Sequence, residues 1–179
     1  MDIQIRRAVE ADIPLVLSFI RKLAEYEKLS DAVKATEQDL RASLFGPRPA
    51  AEVALAYGDG HAAGVAIFFH TFSTFLGKPG IYLEDLFVEP EYRGQGIGKA
   101  LMVYLARLAQ ERGYGRLEWS VLDWNAPSIE FYERLGAVAM DEWTIYRVTG
   151  PALERLAGSG QGRTAPHEPE HQPPSPAVS

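Results

Sequence analysis

Ile3 to Arg7 alternates apolar and polar positions, which predicts a short strand. Asp12 then offers a helix cap with Pro14 in the first turn, and Ile13, Val16, Leu17, Ile20, Leu23 and Ala24 recur at helical spacing to form one apolar face. Thr36 reads as the cap of a second helix carrying Leu40, Leu44 and Phe45, ended by the GPRP stretch from Gly46 to Pro49. Val53 to Tyr57 and Ala62 to Phe72 flank the turn Gly58-Asp59-Gly60, a hairpin pattern. Gly77 to Gly80 is a further turn, and Ile81 to Val88 is a strand closed by Glu89-Pro90. After a glycine-rich loop, Leu101, Tyr104, Leu105 and Leu108 share one face of a helix from about Ile97 to Arg112. Leu117 to Val121 then predicts a strand, Ala126 to Leu135 a helix, Trp143 to Val148 a last strand and Pro151 to Ala157 a short final helix. The order is a strand, two helices, three strands, then helix, strand, helix, strand. It describes a mixed α/β chain with an antiparallel front half and one βαβ-like crossover behind it.

Composition narrows the function classes. At 179 residues, 46% hydrophobic and 23% charged, the chain has the size and balance of one soluble domain. It has no cysteine, which excludes a disulfide scaffold, a thiolate zinc site, an iron–sulfur cluster and a cysteine nucleophile. The net charge of −6 argues against nucleic-acid binding through a basic surface and suits a cationic partner. The N-terminus MDIQIRRAVEAD lacks the apolar segment of a secretory signal. The longest strictly apolar run, Val65 to Phe69, is far short of the ~20 residues of a membrane helix. The expectation is a cytoplasmic protein with no membrane partner. Domain 1–157 is followed by a tail, 158–179, that holds five of the twelve prolines and no aromatic residue, and we expect it to be disordered. His167 and His171 lie in that tail, but Pro169 between them opposes a helical metal pair, and no metal is expected.

The most informative stretch is Arg93-Gly94-Gln95-Gly96-Ile97-Gly98-Lys99, between a strand and a helix. Alternating glycines let a backbone approach a ligand closely, and the first amides of the next helix form an anion site flanked by Arg93 and Lys99. The P-loop spacing fails, because position 93 is Arg and Ala100 replaces the magnesium-binding hydroxyl residue. The dinucleotide fingerprint fails too, because its third glycine position is Lys99. A tight turn that binds nothing stands as the alternative to phosphate binding.

The segment YLEDLFVEPEYRGQGIG, Tyr82 to Gly98, resembles the coenzyme A-binding core of the GNAT N-acetyltransferases. A second segment, VLDWNAPSIEFYERLGA from Val121 to Ala137, matches the family's other signature in the correct order. The resemblance spans residues 1 to about 157 and is closest to the diamine (spermidine/spermine) and thialysine acetyltransferases, whose pattern LAEYEKLSDAVK follows from Leu23 to Lys34. It implies a mixed central sheet flanked by helices, acetyl-coenzyme A as cosubstrate, a small amine as acceptor and a homodimer. Leu86, Phe87 and Val88 would pair with the pantetheine arm, and the Leu86 amide would polarise the thioester carbonyl. Gly94, Gln95, Gly96, Ile97, Gly98 and Lys99, with Arg93, would hold the pyrophosphate. Asn125 and Ser128 would meet the pantetheine arm. Tyr132 would protonate the departing thiolate, a task suited to a phenol that stays protonated at neutral pH.

Glu84 and Asp85 are adjacent strand acids, so alternation places them on opposite sides. By the resemblance Glu84 assists amine deprotonation, and Glu84 and Asp85 contribute to the acceptor site with Tyr26, Glu27, Glu118, Trp119, Ser120 and Glu142. Tyr26 and Glu27 read equally as an ordinary solvated helix end. Thr74 stands where the spermidine enzymes carry an acid, whereas Glu27 to Asp31 and Val121 to Asn125 look more like the thialysine branch. His70 reads as a core or edge histidine and His61 as exposed. Trp119, Trp124 and Trp143 read as packing residues, with Trp119 or Trp124 also able to line the acceptor site. No nucleophile motif is present, so the implied mechanism is direct attack in a ternary complex. Competing readings are a peptide or antibiotic acetyltransferase and a non-catalytic acetyl-coenzyme A sensor.

Overall fold

The computed structural model describes residues 1–159. The tail histidines His167 and His171, and nearly all of the segment expected to be disordered, lie outside the described residues. Met1–Ile129 forms one compact unit and the described residues from Glu130 to Ser159 belong to a second. The first contains a sheet in the order β1 (Ile3–Arg7), β2 (Glu52–Gly58), β3 (His61–Ser73), β4 (Lys78–Val88) and β5 (Leu117–Trp119). The first four strands are antiparallel neighbours, and β5 joins β4 in parallel. The crossover between β4 and β5 is α3 (Ile97–Glu111), and α1 (Ile13–Tyr26) and α2 (Glu37–Phe45) follow β1.

Each face of the sheet has a distinct chemistry. Val53 pairs with Ile67 and Leu55 with Val65, so these four share one face, where they meet Val16, Phe19 and Leu44. Phe19 is 1% exposed although the periodic stripe of α1 did not include it. The opposite face carries small residues, Ala54, Ala56, Gly64 and Ala66, against which α3 sets the fully buried Ile97, Leu101 and Leu105. A Cβ on Gly64 would come within 2.6 Å of the Phe87 carbonyl oxygen and 3.4 Å of the Ile97 side chain. Glycine is therefore required where the helix and strand approach this closely. Full burial of a single phenylalanine such as Phe68 stabilises the fold by about 1.5–3 kcal/mol.

The two helix starts in the front half differ. Thr36 caps α2 as expected, its hydroxyl accepting from the Asp39 amide at 3.2 Å. Asp12 does not cap α1. Its carboxylate accepts from the Val9 amide and takes the Arg6 guanidinium in a two-pronged bond of 2.7 and 2.8 Å. An arginine fork satisfies both carboxylate oxygens at once, and it draws the side chain away from the α1 amides.

The second unit contains the end of α4 (Ala126–Arg134) and α5 (Gly150–Gly158). The strand expected from Trp143 to Val148 is absent, so the sheet has five strands where the sequence pattern suggested six. Alternation supplies a strand's side-chain pattern but not the neighbouring backbone that a ladder needs, and this segment pairs with no strand among the described residues. Trp143, read as a packing residue, is 72% exposed there.

Candidate active site

Strand β4 changes partners partway along. It pairs with β5 only over Ile81–Leu83, while its ladder with β3 continues to Val88. Among the described residues, the β5-side edge of β4 is therefore without a protein strand from Glu84 to Val88, a stretch to which an extended ligand with amide groups can add as a strand would. The β3–β4 register also skips at this point. Ile67 faces Asp85 and Phe68 faces Leu83, which leaves Glu84 as the extra residue of a β-bulge. Strict alternation does not hold across a bulge. Asp85 consequently shares the face of Ile67 and Phe87, turned toward α1, while Leu83 lies on the face of Phe68.

That placement sets the chemistry of the two acids. Glu84 is exposed. Asp85 is half-buried, and its carboxyl is pushed up to about 6, first by burial and then by the charges of Glu84 and Glu27. Burial also raises the Glu27 carboxyl. A half-buried carboxyl that senses two further carboxylates favours a cation beside it.

The end of α1 and the chain before α4 meet. Tyr26 donates to the Asn125 Oδ1 at 3.2 Å and packs on Trp124 with ring centroids 6.0 Å apart. Asn125 is 6% exposed, and its backbone carbonyl accepts from the amides of Ser128 and Ile129. Tyr26 and Glu27 are thus not a solvated helix end. Lys28 follows with a left-handed φ of 60° and its ammonium 5.7 Å from the Trp124 ring. No sequence motif marked Lys28, and its position against an aromatic ring comes from the turn that ends α1.

The glycine-rich loop follows β4. Gly94 and Gly96 adopt φ of 73° and 92°, and Gly96 immediately precedes α3. These torsions turn the loop so that the first amides of a 15-residue helix lie at its mouth, with the positive end of the helix dipole. A Cβ at Gly94 would meet no atom within 4 Å, so the loop leaves room for a bulky anionic group. Ile97 is 1% exposed, so only its backbone is available to a ligand. Lys99 is exposed. Arg93 turns inward. Its Nε donates to the Val88 carbonyl at 3.0 Å, and its guanidinium stacks over Tyr26 at 4.8 Å and Phe87 at 5.8 Å. It ties the loop to the strand end. Gln95 likewise folds back, donating to the Glu91 carbonyl at 2.6 Å. Phe87 is buried against Phe19, while Leu86 and Val88 are half-buried.

The remaining sequence-marked residues divide between the two units. Ser120 shares a hydrogen bond of 2.6 Å with the Tyr82 hydroxyl. Glu118 forms an ion pair with Arg116 at 2.6 Å, which occupies it. Trp119 ends β5, half-buried. Tyr132 and Glu142 belong to the second unit. Tyr132 sits half-buried on α4, packs on Phe131 at 5.2 Å, and its carbonyl accepts from the amides of Leu135 and Ala137. Glu142 is exposed. Among the described residues no helix is long and apolar enough to cross a membrane.

Comparison with known proteins agrees with this arrangement. Residues 20–137 match the family described as the acetyltransferase (GNAT) family. A thialysine N-epsilon-acetyltransferase from Bos taurus is 42% identical and covers 87% of this chain and 98% of its own length. An L-ornithine N5-acetyltransferase from Arabidopsis thaliana is 31% identical, covering 86% of this chain and 87% of its own. Among solved structures, an integron cassette protein from the mobile metagenome of V. cholerae superposes with a TM-score of 0.74 at 31% identity, covering 89% of this chain and 99% of that one.

Proposed function

The chain belongs to the GNAT family and is an acetyl-coenzyme A-dependent N-acetyltransferase, and from that premise we propose that its acceptor is the side-chain amine of a small basic amino acid of the thialysine or ornithine type. The observation that carries this reading is the group of acids around Asp85 set beside a lysine. A diamine needs only carboxylates. An amino acid brings an α-carboxylate as well, and Lys28, close to Glu27 in sequence and packed on Trp124, supplies a cation for it. The relatives whose names specify Nε of thialysine and N5 of ornithine point the same way. Thr74 in place of an acid also weighs against a long polyamine.

In this reading the pantetheine arm adds along β4 beyond Leu83, and the Leu86 amide polarises the thioester carbonyl. The amides from Gly94 to Lys99 hold the pyrophosphate, with Arg93 bracing the loop from behind. Asn125 and Ser128 border the arm at the start of α4. The acceptor ammonium lies among Glu27, Glu84 and Asp85, with Tyr26, Trp119 and Ser120 near it, and the resemblance also implies Glu118 and Glu142 as acceptor residues. The resemblance implies Glu84 as the base; because burial falls on its neighbour, this reading gives the amine proton to Asp85 instead, directly or through water. The amine nitrogen then attacks the thioester carbon, the tetrahedral oxyanion collapses, the C–S bond breaks, and Tyr132 gives its proton to the thiolate sulfur. The same reading carries a homodimer and a cytoplasmic setting.

Initial rates with acetyl-coenzyme A and thialysine or ornithine test the proposal. Intersecting double-reciprocal lines are expected for direct attack, and parallel lines would require a covalent acetyl-enzyme and overturn the mechanism. Replacing Gly96 by alanine forces a Cβ into a left-handed backbone at a cost of about 1–2 kcal/mol. The expected result is a roughly tenfold higher KM for acetyl-coenzyme A with kcat little changed. An unchanged KM would show that the loop amides do not hold the pyrophosphate.

A further inference from the structure

At the end of the sheet opposite the glycine-rich loop lies a cavity of about 550 Å³ that the acetyl-transfer reading does not use. Its polar wall is built on one carboxylate. Glu52 takes Arg112 in a two-pronged pair of 2.6 and 2.8 Å, Arg7 at 2.6 Å and the His70 Nε2 at 3.1 Å. The His70 Nδ1 is engaged by the Tyr114 hydroxyl at 3.0 Å, so both ring nitrogens are held and the imidazole is fixed. Two guanidinium groups meet this one carboxylate, with Glu111 of α3 as a further acid nearby. Arg112 spends its fork on Glu52, whereas Arg7 commits one nitrogen and its side chain is 64% exposed. Opposite this wall, Leu44, Phe45 and Pro49, from α2 and the chain after it, supply an apolar surface.

From these observations we infer that this cavity binds a small organic monoanion, its carboxylate paired with Arg7 beside His70 and its short apolar body against Leu44, Phe45 and Pro49. A guanidinium fork matches a planar carboxylate, and an apolar wall a few ångströms away selects an organic acid over an inorganic ion. The site is separate from the acetyl-transfer site. Arg112 caps the C-terminal end of α3, and the glycine-rich loop is at its N-terminal end, about 22 Å away along a helix of this length.

Benzoate binding to the full chain, measured by calorimetry with benzamide and sulfate as controls, tests the assignment. Benzoate is expected to bind with a millimolar or tighter Kd, and benzamide and sulfate are expected to bind much more weakly. Saturating acetyl-coenzyme A should leave the benzoate affinity in place. Arg7→Gln should weaken benzoate about tenfold while leaving acetyl transfer unchanged, and Arg7→Lys should recover part of the loss. Because Arg7 is largely exposed, these variants keep the Glu52–Arg112 pair that supports the local fold. Absence of benzoate binding, displacement of benzoate by acetyl-coenzyme A, equal binding of sulfate, or indifference to Arg7→Gln would each overturn the assignment.

Discussion

Tyr132→Phe is expected to lower kcat about a hundredfold while leaving both KM values and the circular dichroism spectrum in place. The change removes a single oxygen from a side chain packed on Phe131, on a helix end fixed by bonds from Leu135 and Ala137 to the Tyr132 carbonyl. Catalysis loses the proton that neutralises the departing sulfur. A thiolate is a moderately stable leaving group, with a thiol pKa near 8.5, so the effect falls at the lower end of general acid catalysis. A hundredfold loss corresponds to about 2.7 kcal/mol of transition-state stabilisation. Stopped assays with thialysine at saturating acetyl-coenzyme A measure it, and a kcat equal to the unmodified enzyme's would remove Tyr132 from the chemistry.

A still larger effect is expected at Asp85, with a pH signature of its own. An alkyl ammonium near pKa 10.4 is neutral in only about one molecule in a thousand at pH 7.5, so proton removal limits attack. A carboxylate pushed up to about 6 is a stronger base than an ordinary one and is still ionised at neutral pH. The rate kcat/KM should therefore rise with pH through about 6. Asp85→Asn should abolish that limb and lower kcat/KM at pH 7.5 by about a hundredfold or more. The deficit should shrink at pH 9–10, where the amine loses its proton unaided. An equal deficit at every pH would make Asp85 a binding group only.

Stability should move the other way. The folded-state pKa of Asp85 lies above its unfolded value, so the native state binds the extra proton between about pH 4 and 6. The contribution of Asp85 to stability thus falls as pH rises across that window, and above it the ionised form costs the fold on the order of 3 kcal/mol. Asp85→Asn should raise the urea midpoint at pH 7.5, and the gain should fade toward pH 4. A substitution that stabilises the fold while disabling turnover marks a residue kept for function.

Much of this arrangement is legible in the chain because the signals are local. Alternation locates β1 to β5, the cap at Thr36 starts α2, and the glycines before Ile97 announce a helix N-terminus open to an anion. Features that depend on a neighbour are not legible. The bulge at Glu84 arises from the register between β3 and β4, and it decides that Asp85 rather than Glu84 is desolvated. Arg93 reads as a phosphate ligand from its place in the loop, yet it folds back onto Val88 and Tyr26. Asp12 has the right residue type and spacing for a cap, but Arg6 competes for it. The Trp143 to Val148 segment has a strand's alternation without a partner strand.

The central claim is the identity of the acceptor, and a single competition tests it most directly. Equimolar thialysine, ornithine, spermidine and a lysine-containing peptide are incubated with limiting acetyl-coenzyme A, and the acetylated products are resolved by mass spectrometry. The account predicts that side-chain-acetylated thialysine or ornithine dominates. Predominance of acetylspermidine or of acetylated peptide would contradict it.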